Sequence, residues 1–420
     1  MSIYYLAAQS QSARASLPAS LRSRVVVVGG GFAGLYCAIG LAERGTHEVV
    51  LVERERIGFG ASGRNGGFVF AGYSLGEGSL WERFGARLAP TLYARTVQAV
   101  NQIRARILEH RFDCELSDHG VVWANWFKQD EVLRARQRLL ADCYQSDWQW
   151  LDAQQLNRYV RSDRYSGGLF EANAMHLHPL KYAQALAAYA ETLGVKIFEH
   201  TPATALSQIG KRWKLECGKH AVEAEQVVLC MGGYASALAP KLKRAMLPIA
   251  TYVMCTEPLG STLEQLIPGQ AAIYDTRFAF DYYRKLADQR LLWGGRISIL
   301  ERSPASVAKL LKADMLKVFP SLKDAKIEYA WSGLMSYARH EMPQLGLLEP
   351  GLWYAQSFGG HGLAPTQVAG EILASAIAEG SQDYREFAAM PLSRVYGWAG
   401  KLAAQARYSY LQFKDRQADR

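Results

Sequence analysis

Three observations predict an α/β fold built from two interleaved domains. A β-branched run, a glycine turn, a helical repeat and a second apolar run follow one another within residues 24–53. Glycine-ended segments of similar kind return far downstream, at 226–233 and 358–362. Between them the texture changes, to charged helical repeats over 91–164 and aromatic-rich alternating runs over 246–339. The first pattern is that of a parallel sheet with crossover helices, and the last that of an antiparallel sheet. A chain of 420 residues, with 49% hydrophobic and 21% charged residues, is long enough for one to three domains. This balance excludes a disordered or collagen-like chain.

Val25–Val28 suits a strand buried on both faces. Gly29, Gly31 and Gly34 then spell G-x-G-x-x-G, and Leu35, Ile39 and Ala42 recur at helical spacing. Gly45 ends the helix, 48–52 is the second strand, and Glu53 closes it 22 residues after Gly31. Gly29 permits the tight turn, Gly31 lets backbone approach a pyrophosphate, and Gly34 lets helix and strand pack closely. The first helical turn, with Phe32 and Ala33, offers free N–H groups and roughly half a positive charge to phosphates. Glu53 accepts from ribose hydroxyls and repels a 2′-phosphate, and Arg54 follows it. The unbroken 18-residue uncharged run at 25–42 reaches the length of a membrane span. Its three consecutive glycines favour strand, turn and helix instead.

Residues 57–67, IGFGASGRNGG, come directly after that unit. Gly60, Ala61, Ser62, Arg64, Asn65, Gly66 and Gly67 make a small-residue segment able to run beside a flat cofactor, with a hydroxyl, backbone N–H groups and a cation for phosphate. This segment selects FAD over NAD.

GASGRNGG at 60–67 resembles the second flavin segment of the D-amino-acid-oxidase-like family of FAD-dependent amine oxidoreductases. DRYSGG at 163–168, HLHPLKYAQAL at 176–186, TEPL at 256–259, DYYRKLADQRLLWGGR at 281–296, MPQLG at 342–346 and FGGHG at 358–362 extend the resemblance over most of the chain, as does Tyr4–Tyr5. It implies a Rossmann-like FAD-binding domain from residues 20–90, 165–245 and 340–385. A substrate domain from 91–164 and 246–339 and a helical tail from 386–420 complete the expected chain. It also implies cofactor contacts from Ala203, Gly232, Gly333, Gly359, Gly360, Gly362 and Leu363. A helix N-terminus at 362–363 stabilises negative charge at the flavin ring. Relatives with a covalent flavin carry the linking cysteine in the C-terminal third, whereas no Cys follows Cys255, so FAD is expected to be non-covalent.

The reaction class implied is oxidation of an amine C–N bond to an imine, then hydrolysis to aldehyde and ammonia. The substrate class is a polyamine or gamma-glutamyl polyamine. An alkyl ammonium must lose a proton first, at a cost of about 4 kcal/mol near pH 7.4, and apolar walls lower that cost. Candidate walls are Tyr252, Phe278, Phe280, Tyr282 and Tyr283, each with plain core as the alternative reading. His361 is the titratable candidate at the flavin, its alternative being a loop anchor. Relatives often place Arg just before MPQ or APQ; here Glu341 stands there, and it would favour a cationic group. His178-Pro179 reads as the start of a helix.

Six cysteines at 37, 114, 143, 217, 230 and 255 show no CxxC or zinc spacing; Cys37, Cys217, Cys230 and Cys255 are expected as buried thiols in a reducing, cytoplasmic setting, with no metal. The net charge of +9 is scattered, with no nucleic-acid motif. No transmembrane segment is expected, and a weak membrane or partner patch near the tail stays open. O2 or another electron acceptor is the second partner. Three classes remain: an O2-using oxidase, a dehydrogenase passing electrons to a quinone or protein, and a non-catalytic flavin-fold subunit.

Overall fold

The computed structural model describes residues 3–7, 13–235 and 238–419. Its first sheet holds five parallel strands in the order Leu352–Gln356, His220–Leu229, Leu21–Val28, Val49–Val52 and Lys196–Phe198. Gln344–Glu349 adds an antiparallel edge. Val25–Val28 is buried along its whole length, as an interior parallel strand requires. Helices Phe32–Glu43, Pro179–Thr192 and Leu363–Glu379 share one core with Val25, Val27 and Leu51 of this sheet. The 25–42 segment is thus strand, turn and helix. The first helix stops at Glu43, and Gly45 turns away with φ +74°. His178 caps the helix Pro179–Thr192 by accepting from the Lys181 N–H at 3.1 Å.

The second sheet has eight strands in the order Ile327–Tyr337, Leu247–Thr256, Leu291–Ser298, Asp281–Lys285, Ala272–Asp275, Val121–Ala124, Gly167–Glu171 and Gln149–Asp152. All neighbours run antiparallel except Ala272–Asp275 with Val121–Ala124. Helix Pro304–Val318 packs its apolar stripe, including Val307, Leu311 and Met315, on the face that carries Ala250, Tyr252 and Met254.

Two expected boundaries move. The strand Gly167–Glu171 falls within the 165–245 stretch expected in the first domain, yet it pairs with Val121–Ala124 in the second sheet. The helix expected from 91 starts at Glu77 and runs to Glu109, broken at Gly85 (φ +67°). Its Leu92, Ala99, Val100 and Ile103 lie in the core of the first sheet's helices rather than in the second domain. Apolar spacing reveals that a helix has a buried face, not which layer buries it.

The tail forms helix Gly397–Ala418, laid along the rim of the second sheet. Tyr408 Oη accepts from the Ile297 N–H at 3.3 Å, and Gln405 Oε1 from the Ile299 N–H at 3.1 Å. No helix among the described residues is long and apolar enough to cross a membrane. All six cysteines are free, and only Cys143 is not fully buried.

Candidate active site

One cavity of about 1250 Å³ runs between the two sheets, from Glu53 at one end to Tyr337, His361 and Arg407 at the other. That exceeds the ~300–1,000 Å³ of a drug-sized ligand site, so a dinucleotide and a small substrate fit together.

The Glu53 end is shaped by the turn between the first strand and helix. Gly29 has φ +115°, and a Cβ there would lie 2.4 Å from the Cys230 carbonyl oxygen. A Cβ on Gly34 would lie 2.0 Å from the Gly29 carbonyl oxygen, so only glycine permits this helix–strand approach. Glu53 Oε2 accepts from the Gly30 N–H at 2.7 Å, and Oε1 from the Glu55 N–H at 2.9 Å. Burial pushes this carboxyl up from its ordinary value, while the two N–H groups pull it back. Ser62 Oγ accepts from the Phe32 N–H at 3.0 Å, which sets its hydroxyl at the N-terminus of the first helix beside Gly31 and Ala33.

The glycine segment lies along the cavity's middle. Ala61–Gly63 is a single 3₁₀ turn, and Asn65 locks it: its Nδ2 donates to the Ala61 and Ser62 carbonyls and its Oδ1 accepts from the Gly67 N–H at 2.7 Å. The Arg64 guanidinium sits 4.6 Å from the Phe59 ring centroid, and Arg54 5.7 Å from that of Tyr234. Both arginines, with Gly60 and Gly66, line the cavity, whereas Gly67 supports the turn without lining it. The buried Arg284 holds this segment to the second sheet by donating to the Gly66 carbonyl at 2.7 Å and the Leu177 carbonyl at 2.9 Å. Trp331 Nε1 adds a bond to the Arg64 carbonyl at 2.9 Å. Neither anchor is visible in the sequence, because each acts across more than 200 residues on a backbone carbonyl.

Ala203, Gly232 and Gly333 line the cavity from three separate elements. Gly359, Gly360, His361, Gly362 and Leu363 close its far end, where Gly362 caps helix Leu363–Glu379 without a side-chain bond. The 29–34 and 359–363 backbones therefore aim two helix N-termini into one cavity. His361 Nε2 donates to the Ala71 carbonyl at 3.0 Å, and its ring lies 4.0 Å from that of Phe70. Burial lowers this imidazole to about 4. It is neutral at physiological pH and anchored to a loop, and it also faces the cavity.

At this end the cavity widens into a chamber walled by Phe70, Tyr274, Phe278, Phe280, Tyr282 and Tyr337. Two of the sequence candidates are not there. Tyr252 is in the core beneath the sheet, donating to the Leu300 carbonyl at 2.6 Å, and its neighbour Thr251 lines the cavity. Tyr283 is likewise buried, stacked at 4.4 Å on Trp293 and bonded to Tyr165 Oη at 3.2 Å, while Tyr282 faces the cavity. The alternation along each strand is real: Phe278, Phe280 and Tyr282 line the cavity, and Tyr252 and Tyr283 point to the opposite face. Helix Pro304–Val318 and Phe319 need large apolar partners, and Tyr252, Tyr283 and Trp293 supply them.

Glu341 does line the chamber, in a left-handed backbone conformation (φ +60°). It is not a free anion, because Arg407 of the tail helix donates to its Oε1 at 2.7 Å. The expected preference for a purely cationic substrate is therefore offset at its source. Other chamber cations are also matched: Arg296 with Asp314 at 2.7 Å, and Arg277 with Asp275 and Asp281 at 2.6 Å. Arg339 and Arg394 line the chamber with no ion-pair partner among the described residues. The tail's role in the chamber wall was not legible, since its spacing reads only as a helix.

This geometry defines a protein with a glycine-turn dinucleotide cradle that is continuous with an aromatic-walled chamber in the same cavity. The family model described as FAD dependent oxidoreductase (DAO) matches residues 24–376. The chain is 34% identical over 393 residues to gamma-glutamylputrescine oxidoreductase of Escherichia coli (strain K12), covering 93% of this chain and 92% of the relative. It is 31% identical over 401 residues to probable oxidoreductase OrdL of Haemophilus influenzae, covering 93% and 92%. Glycine oxidase from Geobacillus kaustophilus superposes with a TM-score of 0.73 at 21% identity, covering 90% of this chain and 100% of that structure. L-proline dehydrogenase from P. horikoshii gives 0.72 at 18%, covering 88% and 96%, a likeness of fold. The chain belongs to the FAD dependent oxidoreductase family.

FAD is thus its cofactor, and the residues present fit it. Gly29 and Gly34 leave no room for a Cβ in the turn, Ser62 and two helix N-termini suit a diphosphate and a ring carbonyl, and Glu53 suits a ribose.

Proposed function

We propose that this protein oxidises the C–N bond of a primary amine of the polyamine or gamma-glutamyl-polyamine type. In the net reaction, R–CH2–NH2, O2 and H2O give R–CHO, NH3 and H2O2. When bound, FAD supplies the acceptor for the two electrons of the C–N bond.

The protein's part is to bind, dry and orient the amine. The observation that carries the reading is the aromatic chamber at Gly359–Leu363, where Phe70, Tyr274, Tyr282 and Tyr337 present ring faces and edges. Such walls desolvate an ammonium and favour its neutral form, which is the form that reacts. His361 is neutral and already bonded to a carbonyl, so its part is to hold the loop that shapes the chamber. Gly66 and Tyr282 fix the chamber's edge, since a Cβ on Gly66 would lie 2.4 Å from that ring.

The charge pattern refines the substrate. With Glu341 matched by Arg407 and with Arg339 and Arg394 unmatched among the described residues, the chamber suits an amine that also carries a carboxylate better than a bare diamine. The gamma-glutamyl class has that chemistry, and a relative named for it is 34% identical.

The test measures H2O2 and ammonia from the FAD-loaded enzyme over polyamines, gamma-glutamyl polyamines, D-amino acids, sarcosine and pipecolate. The expected result is the highest kcat/KM for a gamma-glutamyl polyamine. Anaerobic bleaching by that substrate with no peroxide in air would assign a dehydrogenase. Failure of every amine to bleach the protein anaerobically would overturn the reading.

A further inference from the structure

The tail helix Gly397–Ala418 turns its polar anchors inward and its large apolar groups outward. Trp398 is 65% exposed, Leu402 61%, Tyr410 57% and Phe413 54%. Spaced at i, i+4, i+12 and i+15, they fall on one stripe of the helix. This is unlike the rest of the surface, where exposed large apolar residues are mostly single, as is usual.

The charges are sorted as well. Asp415 is turned to the protein, accepting from the Phe278 N–H at 3.3 Å and the Ala279 N–H at 3.0 Å. Asp419 accepts from Trp126 Nε1 at 3.2 Å and pairs with Arg164. The bases border the stripe. Lys401 Nζ lies 5.2 Å from the Trp398 ring centroid, Lys414 Nζ 5.1 Å from that of Tyr410, and Arg416 is exposed. Just before the helix, Arg394 lies 5.9 Å from the exposed Tyr396 ring.

We propose that this helix seats the enzyme on an anionic lipid bilayer, lying in the plane of the interface beside the chamber's mouth. Exposed Trp and Tyr with Lys and Arg at their edges match the amphipathic zone between headgroups and acyl chains. The helix does not span, since Lys401, Arg407, Lys414, Asp415 and Arg416 interrupt it. A second copy is the poorer occupant. A two-fold contact sets the same patch against itself, which would oppose Lys401 and Lys414 to their own kind. Lipid phosphates instead complement them. The proposal is independent of which amine is oxidised.

The test is sedimentation of the FAD-loaded protein with vesicles of phosphatidylglycerol and phosphatidylcholine in equal parts, or of phosphatidylcholine alone. Binding to the anionic vesicles is expected at ~50 mM salt, weakening at least tenfold near ~500 mM. Trp398→Ser/Leu402→Ser/Phe413→Ser should reduce binding by tenfold or more. These three side chains do not line the cavity, so FAD retention and kcat with soluble substrate report that the variant is folded. Lys401→Gln/Lys414→Gln keeps the apolar stripe and should lose chiefly the salt-dependent part. Absence of wild-type binding at low salt would overturn the proposal, as would equal binding by the triple variant. A lipid-free dimer that the triple variant dissociates would assign the stripe to self-association instead.

Discussion

Replacing Glu53 by Gln isolates what one carboxylate contributes to cofactor retention. Its two oxygens accept N–H bonds of 2.7 and 2.9 Å from Gly30 and Glu55. Gln keeps one acceptor oxygen and turns its NH2 toward the other backbone N–H, so one bond is lost and the other becomes neutral. Hydrogen bonds to charged groups contribute ~1.5–3 kcal/mol and neutral ones about half of that. The charge itself is costly, because burial pushes the Glu53 carboxyl up, and Gln removes that cost. These terms oppose each other in the apoprotein, whose Tm should shift by no more than about 5 °C. No such offset exists for FAD, whose ribose hydroxyls would lose a charged acceptor. A loss of ~1.5–3 kcal/mol raises the FAD Kd about 10- to 150-fold. The assay is quenching of flavin fluorescence on titration of the apoprotein, with Tm followed by circular dichroism. A Kd within threefold of the parent, at unchanged Tm, would refute the ribose assignment.

Other expectations test the chamber and the fold. Tyr283→Ala should lower stability by ~3–5 kcal/mol in urea unfolding, as an aromatic deletion stacked on Trp293, while Tyr282→Ala should act mainly on amine KM. The reverse pattern would show that Tyr283, and not Tyr282, meets the amine. Arg407→Gln should free Glu341 and lower KM for a bare diamine several-fold, whereas Glu341→Gln alone should change it less than about threefold. A large effect of Glu341→Gln in steady-state kinetics would show that the carboxylate meets substrate despite Arg407. His176 and His178 are lowered to about 3 and His361 to about 4, by burial first in each case. The folded state therefore prefers them neutral, so their contribution is complete above pH ~6.5 and is lost as pH falls through these values. Each adds a slope of up to ~1.4 kcal/mol per pH unit, and His178→Asn, which keeps a capping acceptor, should remove one share of it in pH-dependent unfolding. Acid precipitation should leave the yellow colour in the supernatant; colour retained in the pellet would show a covalent flavin.

The cofactor end was legible because its determinants are local. Gly29, Gly31, Gly34 and Glu53 act within one strand–turn–helix–strand unit, where each residue's task follows from sequence distance. Ser62 and Asn65 are nearly as local, since their bonds reach Phe32 and Gly67. The chamber was legible only in kind. Aromatic side chains on 251–254 and 278–283 signal a packed sheet with two faces. Nothing in a period of two says which face meets the cavity.

The sequence by itself determined the α/β class and the strand–turn–helix–strand unit of residues 24–53, because backbone conformation and close approach there are dictated by residue type. Tertiary structure decided the rest. It chose Tyr282 over Tyr283 through the demands of the helix beneath the sheet. It bound the glycine segment with Arg284, more than 200 residues away. It neutralised Glu341 with an arginine from a tail whose spacing shows only a helix. Contacts between distant segments depend on which layers pack together, and that is a property of the folded whole.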